Sequence, residues 1–122
     1  MQIDSITEII IGAAFRVHNE LGFGFLEKVY ENALVIELNE QGMKVEQQKQ
    51  LPVFYKGKNV GCYSADLLIE DKVVIELKSC KAIAEQHHAQ LLNYLKASGI
   101  EVGLLINFGK SVEVKRKVLG YS

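Results

Sequence analysis

Apolar residues in the first part of the chain recur at helical spacing. Ile6, Ile9, Ile10, Ala13, Val17 and Leu21 form one stripe, which predicts a helix opened by a Ser5–Glu8 capping box and closed at Gly22. Gly22-Phe23-Gly24 reads as a turn. A second helix is expected from about Phe25 to Gln41, with Leu26, Val29, Tyr30, Ala33 and Glu37 along one stripe and Gly42 just past its end. The period then falls from about 3.6 to about 2 residues. Met43–Gln48 and Leu51–Tyr55 read as strands, followed by a Lys56-Gly57-Lys58-Asn59 turn. Val60–Ile69 and Lys72–Ser79 read as two further strands around a turn at Glu70-Asp71, each apolar on both faces and therefore covered on both. Ala82–Ser98 is a third helix that stops at Gly99. Val102–Asn107 is a strongly apolar strand, and Ser111–Val118 a basic, edge-like one. The order αα-ββββ-α-ββ predicts an α/β (α+β) fold with a central mixed β-sheet flanked by helices.

At 122 residues and 13.7 kDa the chain has the size of one domain. Hydrophobic residues make up 48% and charged residues 24%, which excludes a disordered or fibrous chain. Fourteen basic and fifteen acidic residues give a net charge of −1, so bulk positive charge does not hold a nucleic acid here. A local site is still open to it. The start Met1-Gln2-Ile3-Asp4 has no signal-peptide pattern, and the apolar runs are too short to span a bilayer. Cys62 and Cys80 make no paired motif, and with His87 and His88 they lack the spacing of a zinc site. A reduced, cytoplasmic protein away from membranes is expected.

Two acids interrupt the most apolar part of the sheet. Asp66 lies in Ala65-Asp66-Leu67-Leu68-Ile69, and Glu76 in Val73-Val74-Ile75-Glu76-Leu77-Lys78. Such charges are costly in apolar surroundings unless paired or bound to a metal. Glu76 and Lys78 share a strand face because they are two residues apart. Whether Asp66 joins them depends on the hairpin loop. A three-residue loop sets Ile69 against Val73 and Asp66 against Glu76, whereas a two-residue loop points the acids to opposite faces. Two carboxylates on adjacent strands suit Mg²⁺, and the lysine suits an attacking water or a charged phosphate. An edge salt bridge between Glu76 and Lys78 is the competing structural reading. On the third helix His87, Gln90 and Tyr94 share one face, and on the second Glu27 precedes Tyr30 by three. Lys56 and Lys58, and Lys115, Arg116 and Lys117, read as solubilising surface or a guarded strand edge.

Gly24-Phe25-Leu26-Glu27-Lys28-Val29-Tyr30 resembles the signature of the GxxExxY protein family, a branch of the PD-(D/E)XK nuclease-like superfamily. Val17-His18-Asn19-Glu20-Leu21-Gly22 and Leu104-Leu105-Ile106-Asn107-Phe108-Gly109 resemble its other motifs, so the likeness covers nearly the whole chain. The resemblance implies a single nuclease-like domain over residues 1–122 with a restriction-endonuclease-like core. Asp66, Glu76 and Lys78 then occupy the D…ExK positions, with Ala65 standing where the superfamily name has proline. Glu27 would join Asp66, Glu76 and the Leu77 carbonyl around Mg²⁺ or Mn²⁺. Gln90 and Tyr94 match a QxxxY element near substrate phosphate, with Gln90 positioning the water and His87 and Tyr30 beside the substrate. The implied activity is metal-dependent hydrolysis of phosphodiester bonds in DNA, with a homodimer as a reasonable assembly. A catalytically inactive nucleic-acid-binding or regulatory module on the same fold is the alternative.

Overall fold

The computed structural model describes residues 1–120. In chain order it contains α1 (Ile3–Leu21), α2 (Glu27–Glu40), β1 (Val45–Tyr55), β2 (Lys58–Ile69), β3 (Val73–Lys78), α3 (Glu85–Ser98), β4 (Val102–Phe108) and β5 (Val112–Val118). The strands form one sheet in the order β1-β2-β3-β4-β5. Only the β3–β4 neighbours are parallel, because α3 carries the chain across between them; the other pairs are antiparallel. Among the described residues no helix is long and apolar enough to cross a membrane.

Both faces of the sheet are covered, as the double-sided apolar strands require. Leu67, Ile69, Val73, Ile75, Leu77, Leu104 and Ile106 pack under α1 and α2. Leu68, Val74 and Leu105 pack under Leu91 and Leu95 of α3. Gly103 lets α3 sit close: a Cβ there would stand 2.8 Å from Leu91 Cδ1.

Three expectations change. First, α1 starts at Ile3 behind Gln2, with no side-chain cap, so Ser5 and Glu8 lie inside the helix rather than forming a capping box. Ile3 packs against the core, and that burial extends the helix past the local start signal. Second, α2 buries Tyr30, Leu34 and Leu38 instead of the stripe through Leu26 and Val29, and Leu26 is 81% exposed. The Tyr30 ring stacks on Phe108 at 4.5 Å, and this anchor sets which row of the helix faces inward. Third, the two strands expected before the Lys56 turn are one. Gln48 takes a left-handed φ of 50° and absorbs the irregularity without ending the strand.

Candidate active site

The β2–β3 turn decides the geometry of the acids. Glu70 and Asp71 both adopt left-handed φ, 53° and 57°, and Lys72 N donates to Ile69 O. The result is a three-residue loop with Ile69 opposite Val73, Leu68 opposite Val74 and Leu67 opposite Ile75. Asp66 therefore stands across from Glu76, the arrangement in which the two carboxylates meet.

Beyond Leu67–Ile75 the backbone ladder stops and side chains replace it. Asp66 N donates to Glu76 Oε1 at 3.2 Å, and Leu77 N donates to Asp66 Oδ2 at 2.8 Å. The β1 ladder also skips the rung between Gln48 and Asp66, passing from Gln47–Leu67 to Lys49–Ala65. Instead Gln48 Nε2 reaches Asp66 Oδ1 at 3.4 Å. The strands thus open around Asp66, and the opening is filled by carboxylates.

Glu76 is 7% exposed, and its carboxyl is pushed up to about 9, by burial first and by the negative charge of Asp66 second. Burial raises Asp66 as well, opposed chiefly by the hydrogen bond from Leu77 N. At neutral pH the pair therefore retains a proton. Lys78 lies two residues beyond Glu76 on the strand face that carries Val74 toward α3. Among the described residues Lys78 makes no ion pair, so the Glu76–Lys78 salt bridge does not form.

Residues of α3 border this face. Tyr94 packs edge-on against Tyr63 at 4.5 Å, and its hydroxyl is held up to about 12, by burial first and then by Glu76 and Asp66. Gln90 is exposed on the same helix. His87 Nδ1 accepts a hydrogen bond from Ala84 N at 3.0 Å, so in the neutral ring Nε2 carries the proton. Burial lowers the His87 pKa, Lys78 lowers it further and Glu27 opposes them, which makes the three electrostatic neighbours.

Glu27 opens α2 and lines a shallow recess with Gly24, Phe25, Leu26, Lys28 and Ser79. Ser79 Oγ donates to Phe25 O at 2.8 Å, tying that turn to the residue after Lys78. Among the described residues no three His, Cys, Asp or Glu side chains converge closely enough to hold a metal, so Glu27 is not gathered with Asp66 and Glu76. Tyr30 needs a correction. It is fully buried, and its hydroxyl donates to Gly22 O at 2.6 Å and accepts from Phe25 N at 3.3 Å. It pins the turn that presents Glu27 and has no face for a substrate.

Three further residues were not singled out from the sequence. Glu31, 3% exposed, accepts hydrogen bonds from Lys28, Gln47 and Gln48, and its charge helps to raise Asp66. Gln48 bridges Glu31 and Asp66, its Nε2 donating to both. Asn107, 2% exposed, clamps the loop after Lys78: its Oδ1 accepts from Cys80 N at 3.0 Å and its Nδ2 donates to Cys80 O at 2.9 Å. His18 Nε2 donates to Gly109 O at 2.8 Å beside it. A polar residue inside the apolar Val102–Phe108 run was the signal that could have exposed Asn107.

The family model described as the PD-(D/E)XK nuclease superfamily matches residues 4–117. Among solved structures, the crystal structure of SSO0001 aligns at 20% identity with a TM-score of 0.61, covering 79% of this chain and 52% of that one. The chain thus spans about half the length of that protein. An alkaline exonuclease (LHK-Exo) from Laribacter hongkongensis aligns at 12% identity with a TM-score of 0.51, over 92% of this chain and 81% of the other. Both likenesses are of fold. No curated protein matches the chain.

Proposed function

Because the chain belongs to the PD-(D/E)XK nuclease superfamily, we propose that it hydrolyses phosphodiester bonds of DNA at a divalent-cation site built on Asp66 and Glu76. The observation that carries this reading is the facing carboxyl pair, Glu76 buried and Asp66 half-buried, beside a lysine that makes no ion pair among the described residues. Folding alone gains nothing from two acids pushed up against each other.

The donor set fits a cation. Each carboxylate uses one oxygen on a main-chain N–H, which orients the pair. Glu76 has one main-chain donor, Asp66 N on Oε1, and its other hydrogen-bonding neighbour is the Asp66 carboxyl itself. Asp66 and Glu76 would hold Mg²⁺ or Mn²⁺ with the Leu77 carbonyl, and water or substrate oxygens would complete the set, because Glu27 stands apart from the pair in this structure. When bound, the cation would neutralise the carboxylates and polarise the scissile phosphate.

This chain's own groups supply the rest. Glu76 gives up its proton when the site is loaded. Lys78, which makes no ion pair among the described residues, orients the attacking water and balances charge growing on the phosphate. Gln90 positions the water, while Tyr94 and the Nε2–H of His87 donate to substrate oxygens. The Asn107–Cys80 clamp and the Ser79–Phe25 bond hold the segment that follows Lys78, so the ammonium stays in register with the acids.

The test is cleavage of single-stranded, duplex and branched DNA across a series of divalent ions, run beside Lys78→Ala. Divalent-dependent cleavage by the wild type and its loss in the folded variant support the reading. Equal cleavage by both sinks it. A melting temperature raised by Mg²⁺ or Mn²⁺ in the wild type but not in Glu76→Ala supports the carboxyl pair as the cation site. Nucleic-acid binding without any response to metal favours an inactive binding module.

A further inference from the structure

The hairpin of β1 and β2 outruns the sheet. β3 pairs only with Leu67–Ile69 of β2, whereas β1 and β2 stay paired as far as Tyr55 and Lys58. The eight residues from Ala65 back to Lys58 carry the ribbon roughly 26 Å from the acidic pair at a strand rise of about 3.3 Å. α3 packs on its base, where Leu51 and Ala65 are buried and Tyr63 meets Tyr94, and borders it as far as Phe54. From Phe54 to Cys62 every residue is exposed, whichever face it occupies.

The tip combines apolar and basic character. Phe54, Tyr55 and Val60 are 62%, 63% and 62% exposed, and a two-stranded ribbon gains no stability from such display. Residues 47–65 contain Lys49, Lys56 and Lys58 and neither Asp nor Glu, in a chain whose net charge is −1. Lys49 is paired with Glu46, but among the described residues Lys56 and Lys58 make no ion pair. Lys96 and Asn93 of α3 line a recess with Val53, Phe54 and Tyr63, which adds a third unpaired cation to the same side. An acid-free, lysine-bearing ribbon is complementary to a polyanion.

We infer that this arm lies in the major groove of duplex DNA beside the bond to be cut. A two-stranded ribbon fits the major groove of B-form DNA, about 12 Å wide, whereas the deep, narrow major groove of A-form RNA does not admit it. Lys56, Lys58 and Lys96 meet phosphates along the groove walls. Phe54 and Tyr55 meet base edges, where the thymine methyl group is the natural apolar partner. The inference deepens the nuclease reading and rests on it for the position of the arm relative to the scissile bond.

The test measures binding by fluorescence anisotropy in a Lys78→Ala background, where the probe stays intact. The probes are a duplex DNA, a duplex RNA and a single DNA strand of equal length. Lys56→Ala/Lys58→Ala is expected to weaken duplex-DNA binding about tenfold near physiological salt and to lower the salt slope by about two units, with little change for duplex RNA. DNA should also shield the exposed thiol of Cys62 from alkylation. Unchanged DNA affinity, or an equal loss on all three probes, overturns the inference. So does a variant-induced shift in sedimentation showing that the tip joins two copies of the chain. In protein with Lys78 intact, cleavage indifferent to the arm variants defeats the arm and leaves the nuclease reading standing. Arm-dependent binding with no cleavage under any divalent ion does the reverse.

Discussion

The two ends of the β2–β3 hairpin handle acidic residues in opposite ways. At the turn, Lys44 Nζ meets Asp71 Oδ2 at 2.8 Å in full solvent, and Glu70 Oε2 accepts from Lys44 N. The Lys44 hydrogen bond draws the Asp71 carboxyl below its usual range. At the other end, Asp66 and Glu76 face each other with only main-chain donors and Gln48 to satisfy them, and both are pushed up. The same residue types close a loop at one end and store an unmet demand for positive charge at the other. Burial makes the difference: at the turn the carboxylate stays in water beside Lys44, whereas desolvation of Asp66 and Glu76 outweighs the attraction of Lys78.

That contrast can be broken or sharpened in four ways. The largest effect belongs to Lys78→Ala, which should reduce divalent-dependent cleavage by at least about 100-fold while the melting temperature stays close to wild type. Asp71→Asn at the turn should leave cleavage unchanged in the same assay. If the turn variant were the damaging one, the functional assignment of the two ends would be inverted. Asn107→Ala comes next. It strips Cys80 of both partners and should cost about 1–3 kcal/mol in denaturant unfolding, with a drop in kcat/KM as the segment after Lys78 loosens.

The third effect is a pH dependence of the metal-free protein. Glu76 keeps its proton in the fold up to about pH 9, whereas the unfolded chain loses it near 4.5. Between those values the folded state binds more protons, so stability should fall as pH rises and level off above the upper one. The slope from one proton is at most about 1.4 kcal/mol per pH unit. Glu76→Gln should flatten it, as read by denaturant unfolding across that window; an unchanged slope would show that Glu76 is ionised in the fold. The smallest effect is at the turn, where the depressed Asp71 carboxyl helps above its unfolded pKa and loses that help as pH falls through the folded one. Lys44→Ala should leave the melting temperature near neutral pH unchanged within error, because exposed ion pairs contribute little.

Much of this site was legible before any coordinates. Asp66 and Glu76 stood out because acids are rare in runs that apolar on both faces, and Lys78 followed from strand alternation. Asp66 opposite Glu76 was one of two legible registers, and the left-handed pair Glu70–Asp71 selected it. Gln90, Tyr94 and His87 came from helical spacing; of the three, Tyr94 feels the charge of Glu76 and Asp66, and His87 that of Lys78. Glu31 and Gln48 escaped because a buried glutamate on a helix looks like any other until the strand it faces is known. Tyr30 was misassigned for the same reason: its hydroxyl partners, Gly22 and Phe25, lie in a turn whose path is set only when Phe108 stacks on the ring.

Local chemistry was enough for most of the succession of helices and strands and for setting Asp66, Glu76 and Lys78 apart on one hairpin, since periodicity and turn residues act over a few positions; the D…ExK reading of those three is what the family resemblance implies. Those same local signals placed a cap at Ser5 and a core stripe at Leu26 that packing overruled, because burying Ile3 and stacking Tyr30 outweigh a fraction of a helix turn. The electrostatic character of the acids belongs wholly to the tertiary structure. A glutamate titrates near 9 only when strands, helices and a second carboxylate exclude water from it together, and no stretch of sequence carries that information on its own.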